Sequence, residues 1–235
     1  MRASRRDGLL ALVALCALVA TGCLWGPDPD PVTQEHRIPH ASLFLLEADI
    51  GMSAGDLAIS GSSPDLMTGS FTFTKEAWEP EITYHYEEGH ATLSVRTTSS
   101  VSIRSSHRNE WDIALTSGEP LALSADLGAG DLTIDARHLD LVSLSARVGA
   151  GDLVLDLSGT YTASFEATAQ MGAGSIRILL PRDVGALVIV EGRTKITASS
   201  LFVDGSTYTN RAYGTSPVTV RVTVTSSVGD VELVG

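Results

Sequence analysis

One block recurs along this chain: alternating apolar and polar residues, a Gly-Ala-Gly triplet, then alternation again. Residues 123–136 read LSADLGAGDLTIDA, residues 144–157 read LSARVGAGDLVLDL, and residues 167–180 read ATAQMGAGSIRILL. The triplets begin at Gly128, Gly149 and Gly172, 21 and 23 residues apart. A weaker copy occupies residues 48–60 (ADIGMSAGDLAIS), and another occupies residues 222–234 (VTVTSSVGDVELV). Period-two alternation is the mark of strands, because successive side chains point to opposite faces. No long stretch of helical period follows residue 23, and Pro64, Pro80, Pro120, Pro181 and Pro217 punctuate the chain. The fold class is therefore all-β.

Hairpins in a sandwich and stacked coils both produce alternation at this spacing. A tight hairpin favours two turn residues such as Asn-Gly. Near-identical segments at a fixed period favour coils, since each coil sets the same side chain in the same column. The expectation is a parallel β-solenoid, a single-stranded β-helix. Leu127, Val148 and Met171 would form one inner column, and Leu132, Leu153 and Ile176 another. The expected structural turn residues are Gly55 and Asp56, then Gly128, Gly130 and Asp131, then Gly149, Gly151 and Asp152. Gly172 and Gly174 follow, and Gly229 and Asp230 close the set. Glycine there permits a positive φ and close approach of neighbouring coils. The turn aspartates raise the question of a bound cation such as Ca²⁺. Hydrogen bonds within each turn are the simpler account, Ser175 interrupts the series, and no metal or cofactor is expected.

The start of the chain has another character. Arg2, Arg5 and Arg6 precede an apolar run from residue 9 to residue 20, too short for an ordinary membrane-spanning helix. Small residues then lead to Cys23, so residues 1–22 form a cleaved signal peptide by layout. Residues 20–23 (ATGC) resemble the bacterial lipobox, which implies diacylglycerol on the Cys23 thiol and a membrane anchor. Alternating Pro and Asp from residue 27 to residue 31 suit an extended tether over 23–40. The folded domain is then 41–235, with a less regular cap at 41–120 and the repeats at 121–235. Removing 1–22 takes away three Arg and Asp7, leaving 13 basic against 27 acidic residues and a net charge of −14. Cys16 leaves with the signal and Cys23 is acylated, so no free thiol remains. The acidic balance excludes a nucleic-acid partner.

Residues 69–75 read as a strand and residues 82–96 as a hairpin around 87–90. The last strand, with Val231 and Leu233, is expected at an open end of the stack, where an unpaired edge suits self-association. Residues 46–60 with their Gly-Asp turn, the hairpin, Asn109-Glu110-Trp111-Asp112 and the paired LGAGDL and VGAGDL runs resemble the bacterial toast-rack family. Residues 172–234, with GAGSIRILLP, Tyr208, Asn210, Tyr213 and VTVTSSVGDVEL, resemble the C-terminal domain of LiaF-type proteins. Adhesin-type solenoids share these Gly-Asp corners. The resemblance implies a right-handed solenoid outside the cytoplasmic membrane and supplies no catalytic residues. LiaF-type proteins carry transmembrane helices before this domain, where a lipid anchor stands here.

Three active-site patterns are worth weighing. Residues 51–55 match G-x-S-x-G, but a nucleophile elbow needs a helix next, and a strand pattern follows. His85 and His90 could face each other across the hairpin turn without a third zinc ligand. Glu79, Glu81, Glu87 and Glu88 surround Trp78, Tyr84 and Tyr86, a sugar-binding or glycan-cleaving arrangement if they converge. The leading reading is a non-enzymatic, lipid-anchored envelope protein outside the cytoplasm that binds an envelope protein or polymer, or self-associates through its ends. A LiaF-like regulatory component of envelope stress is the alternative, and a glycan-acting enzyme comes third.

Overall fold

The computed structural model describes residues 30–97, 107–192 and 194–235. The signal segment and Cys23 lie outside the described residues. The strands are β1 (Val32–Ile38), β2 (Leu45–Ser63), β3 (Met67–Phe73), β4 (Pro80–Glu87), β5 (His90–Thr97), β6 (Asn109–Thr116) and β7 (Leu121–Asp135). They continue as β8 (Leu141–Asp156), β9 (Phe165–Leu179), β10 (Gly185–Glu191), β11 (Lys195–Ser199), β12 (Phe202–Asp204), β13 (Thr207–Thr209) and β14 (Thr219–Val234). The one helical element among the described residues is a 3-10 turn, Glu76–Trp78. All strands join one open sheet in the order β1-β3-β6-β2-β7-β8-β9-β14-β10-β13-β12, with β5 also on β2, β4 on β5 and β11 on β14.

The chain is all-β, as its alternation requires. The centre of the sheet, β2-β7-β8-β9-β14, is parallel, and Gly55, Gly130, Gly151, Gly174 and Gly229 are aligned across it. These strands cannot be straight. Fifteen residues of β7 would extend ~50 Å at about 3.3 Å per residue. The return to β8 uses only residues 136–140, a reach of about 20 Å at most. Each long strand therefore folds back at its glycine corner, and two layers of the same ladder face each other.

The inner columns follow from this. Leu127, Val148 and Met171 are in register, as are Leu132, Leu153 and Ile176, and all six are buried. Met52 and Leu57 extend the two columns at one side, Ser226 and Val231 at the other. Each buried aliphatic side chain contributes about 1.5–3 kcal/mol of hydrophobic stabilisation.

Three expectations are corrected. Residues 32–38, assigned to the tether, form β1, which pairs antiparallel with β3. Arg37 donates to the buried Asp65 at 2.8 Å, and the His36 ring meets Phe71 edge-on at 5.6 Å, so this segment is held against the sheet. The irregular region 41–120 also contains β2, which is a full member of the ladder. The irregular part is its flank, where β5 covers the first half of β2 and β6 the second. Last, β14 is not an open end. It lies between β9 on one side and β10 and β11 on the other. A neighbouring strand supplies the backbone partners that a terminal edge would lack.

The hairpin of β4 and β5 closes at Glu87 and His90, as its sequence suggests. Glu88 and Gly89 both have positive φ there, which suits a two-residue turn.

Candidate functional site

The glycine corner sets the geometry of everything outside it. Gly130, Gly151, Gly174 and Gly229 have φ between 126° and 140°. A Cβ on any of them would lie 1.6–1.9 Å from the carbonyl oxygen of the glycine before it in the column. Only glycine lets the coils stack this closely. The column ends at Asn109, whose carbonyl oxygen lies 2.0 Å from a Cβ built on Gly55. The Asn109 amide donates to the Ala54 carbonyl at 2.6 Å, replacing the next coil.

One residue beyond the glycines, Asp56, Asp131, Asp152, Ser175 and Asp230 form an exposed row. Ser175 Oγ donates to Asp152 Oδ1 at 2.5 Å, which offsets part of the repulsion. The row ends in Lys195 beside Asp230 and Glu110 beside Asp56. Partial burial raises the Asp56 pKa from its ordinary value, and the charges of Asp131 and Glu110 add to the effect. A hydrogen bond from Arg108, 2.5 Å away, lowers that of Glu110. Among the described residues, no group of three or more His, Cys, Asp or Glu side chains is placed to hold a metal ion.

The outer face of the layer before the corner carries a second, different row. Thr83, Ser94, Asp49, Ser124, Ser145 and Thr168 are consecutive neighbours across β4, β5, β2, β7, β8 and β9. Thr223 on β14 continues it. The six from Thr83 to Thr168 line a groove of about 630 Å³ together with Glu47 and Glu166, and Thr223 lies beyond it. The next row alternates in charge. Arg96 reaches Asp49 at 2.8 Å and Asp126 at 3.6 Å, and Arg147 lies 3.5 Å from Asp126. Arg147 also donates to Gln170 at 3.1 Å. Hydroxyls both donate and accept hydrogen bonds, and here they repeat at the strand spacing of about 4.8 Å, with Ser145 Oγ covered and without a partner among the described residues. Such a surface suits an extended chain with regularly spaced polar groups.

Sequence reasoning missed this groove. A signal was available, because a Ser or Thr stands four residues before each Gly-Ala-Gly triplet, at Ser124, Ser145 and Thr168.

The other candidates disperse. His90 lies opposite Glu87, while His85 lies opposite Thr92, so the two histidines do not face each other. Trp78 is fully buried, whereas Tyr84 and Tyr86 are exposed. Glu79 accepts a hydrogen bond from Gln34 at 3.0 Å. The carboxylates and aromatics of this region therefore do not converge on one cleft. Ser53, in the G-x-S-x-G match, lies within β2, and strand rather than helix follows it.

A family model described as the N-terminal domain of toast_rack, DUF2154, matches residues 28–179. Among solved structures, a presumed cell adhesion protein from Clostridium sporogenes is 26% identical, with a TM-score of 0.84 over 87% of this chain and 99% of that one. A presumed adhesin from Bacteroides fragilis is 13% identical, with a TM-score of 0.27 over 87% of this chain and 97% of that one. No curated protein matches the chain. No helix among the described residues is long and apolar enough to cross a membrane.

Proposed function

Because the chain belongs to the family of the toast_rack N-terminal domain, matched over residues 28–179, we propose that it is a non-enzymatic, adhesin-type domain of the bacterial cell envelope. Its two-layered ladder is read as a right-handed solenoid. Cleavage after residue 22 leaves Cys23 to carry the lipid that anchors it, and residues 23–31 serve as the tether. The hydroxyl-floored groove holds an extended envelope polymer or an extended segment of an envelope protein. That groove is the observation that carries the reading, since five hydroxyls and Asp49 line up across six neighbouring strands of its floor. The Clostridium sporogenes relative, a presumed cell adhesion protein, supports the same class.

The test is to block the groove. Purified chain should sediment with isolated cell-envelope material, and Ser145→Arg should abolish this while the circular dichroism spectrum is unchanged. Thr133→Arg, on the opposite layer, should bind normally. Equal binding by both variants would overturn the groove assignment. For the anchor, Cys23→Ser should move the protein from the membrane to the soluble fraction, and retention in the membrane would contradict it.

A LiaF-like regulatory role remains as a second reading, carried by the motifs of residues 172–234, which lie mostly beyond the family match. Unchanged envelope-stress signalling in a deletion strain would remove it.

A further inference from the structure

The four free strand edges among the described residues differ in how they are guarded. Charged side chains protect edges from pairing with other chains. β1 carries Glu35 and Arg37, β4 carries Glu81 and Glu87, and β11 begins with Lys195. β12 consists of Phe202, Val203 and Asp204 alone. Phe202 is 64% exposed and Val203 59% exposed. Burying such side chains is favourable, and among the described residues they stay largely exposed.

The backbone of β12 is also half unused. Phe202 lies opposite Thr209 and Asp204 opposite Thr207, around a two-residue turn. In such a hairpin the closing pair exchanges hydrogen bonds, and the pattern alternates. Phe202 and Asp204 therefore turn their N–H and C=O towards β13, and Val203 turns its own outward.

Beside this edge lies a groove of about 730 Å³, lined by Arg182, Leu201, Phe202 and Arg211 among others. No hydrogen bond or ion pair engages the side chains of Arg182, Arg211 or Asp204 among the described residues. The edge thus presents free charges of both signs together with exposed apolar side chains.

We propose that two copies of this chain pair antiparallel through β12 about a two-fold axis at Val203. Such pairing is self-complementary. Val203 faces Val203 of the second copy and exchanges both backbone hydrogen bonds. Phe202 comes opposite Asp204 of the other chain, on the same face. That carboxylate then lies beside the groove lined by Arg182 and Arg211, and the two Phe202 rings, diagonal neighbours on one face, come within reach of each other. A two-fold contact of this kind uses the same patch on both partners and closes as a dimer.

The experiment uses the full chain with Val203→Cys under mild oxidation. Residues directly opposite in antiparallel strands are about 4.5–5.5 Å apart at Cα, within disulfide range. V203C should give a covalent dimer of about twice the monomer mass on a non-reducing gel. The unsubstituted chain, which retains Cys16 and Cys23, supplies the baseline. Thr33→Cys on β1, at the opposite end of the sheet, should not rise above it. Adding Phe202→Asp to V203C should remove the dimer, with an unchanged melting curve as the check on folding. Dimer no more abundant in V203C than in T33C would overturn the proposal, as would an adduct containing a different protein. Dimer that survives F202D would overturn the contact between the two Phe202 rings. Ser145 lies on another strand, so failure here is distinguishable from failure of the groove reading.

Discussion

The repeated ladder of β7, β8, β9 and β14 and the flank built from β3 and β6 solve the same problem by different means. Within the ladder, each coil packs on a near copy of itself. Aliphatic columns, stacked glycines and in-register backbone bonds suffice. No tryptophan is needed there. At the flank the copies run out. Antiparallel β3 and β6 close the core instead, and the largest side chains gather there. Phe71 meets Trp111 edge-on at 5.4 Å, and Trp78, Trp111 and Phe71 are fully buried. Asn109 ends the glycine column with its side-chain amide. Repetition stabilises through many equivalent small contacts, whereas an end is stabilised by a few large or specially placed side chains.

This contrast is open to breaking. The largest effect is expected from Gly151→Val, where a positive φ of 134° combines with a carbonyl 1.9 Å from the new Cβ. Equilibrium urea denaturation should show a loss of more than ~4 kcal/mol. Gly118 also has positive φ, 89°, but nothing within 4 Å of a Cβ. Gly118→Ala should cost only about 1 kcal/mol. Equal losses would mean that close stacking does not determine the corner.

Trp111→Ala comes next, at about 3–5 kcal/mol, because it opens a cavity at the flank. Its indole N–H has no hydrogen-bond partner. Trp111→Phe should therefore cost much less, since it removes an unsatisfied donor. Thermal melts of the two variants would separate these contributions. Asn109→Ala should lose about 1 kcal/mol, towards the low end because Asn109 Oδ1 is itself unpaired. A loss as large as that of Gly151→Val would make the end of the column as demanding as its middle.

The smallest effect is expected from Ser175→Asp. It removes the hydrogen bond to Asp152 and sets a carboxylate between Asp152 and Asp230. At neutral pH this should cost under ~1 kcal/mol, given the exposure of the row. Crowded carboxylates have their folded-state pKa raised, so protonation favours the native state. The penalty should be present above the raised pKa and fade as pH falls through it. Urea midpoints at neutral and acidic pH would test the sign.

Much of the ladder was legible because its inner columns repeat at a fixed period. Leu132, Leu153 and Ile176 occupy the same place in successive copies, and that equivalence dictates their register. β1 was hidden for a physical reason. An edge strand with solvent on one side carries polar residues such as Gln34 and Glu35, and the neighbouring Pro-Asp run reads as linker. The position of β14 was hidden for another. A repeat dictates register, but near-equivalent coils leave their spatial order open, and contacts made by β10 and β11 decide it. β12 is three residues long, too short for any periodicity. The hydroxyl row was visible in principle, yet a small polar residue on a strand looks like ordinary solvent-facing surface until its neighbours are known.

The order of strands also decides whether the hydroxyl row is continuous. Thr168 on β9 is aligned with Thr223 on β14, and Thr223 with Ile189 on β10. Disulfide trapping tests this directly. Thr168→Cys with Thr223→Cys should cross-link, since adjacent strands lie about 4.8 Å apart. Thr168→Cys with Ile189→Cys should not, because two strand spacings, roughly 9–10 Å, exceed disulfide reach. Cross-linking of the second pair and not the first would mean that the strands stack in chain order, which would contradict both the inserted β14 and the continuation of the row from Thr168 to Thr223.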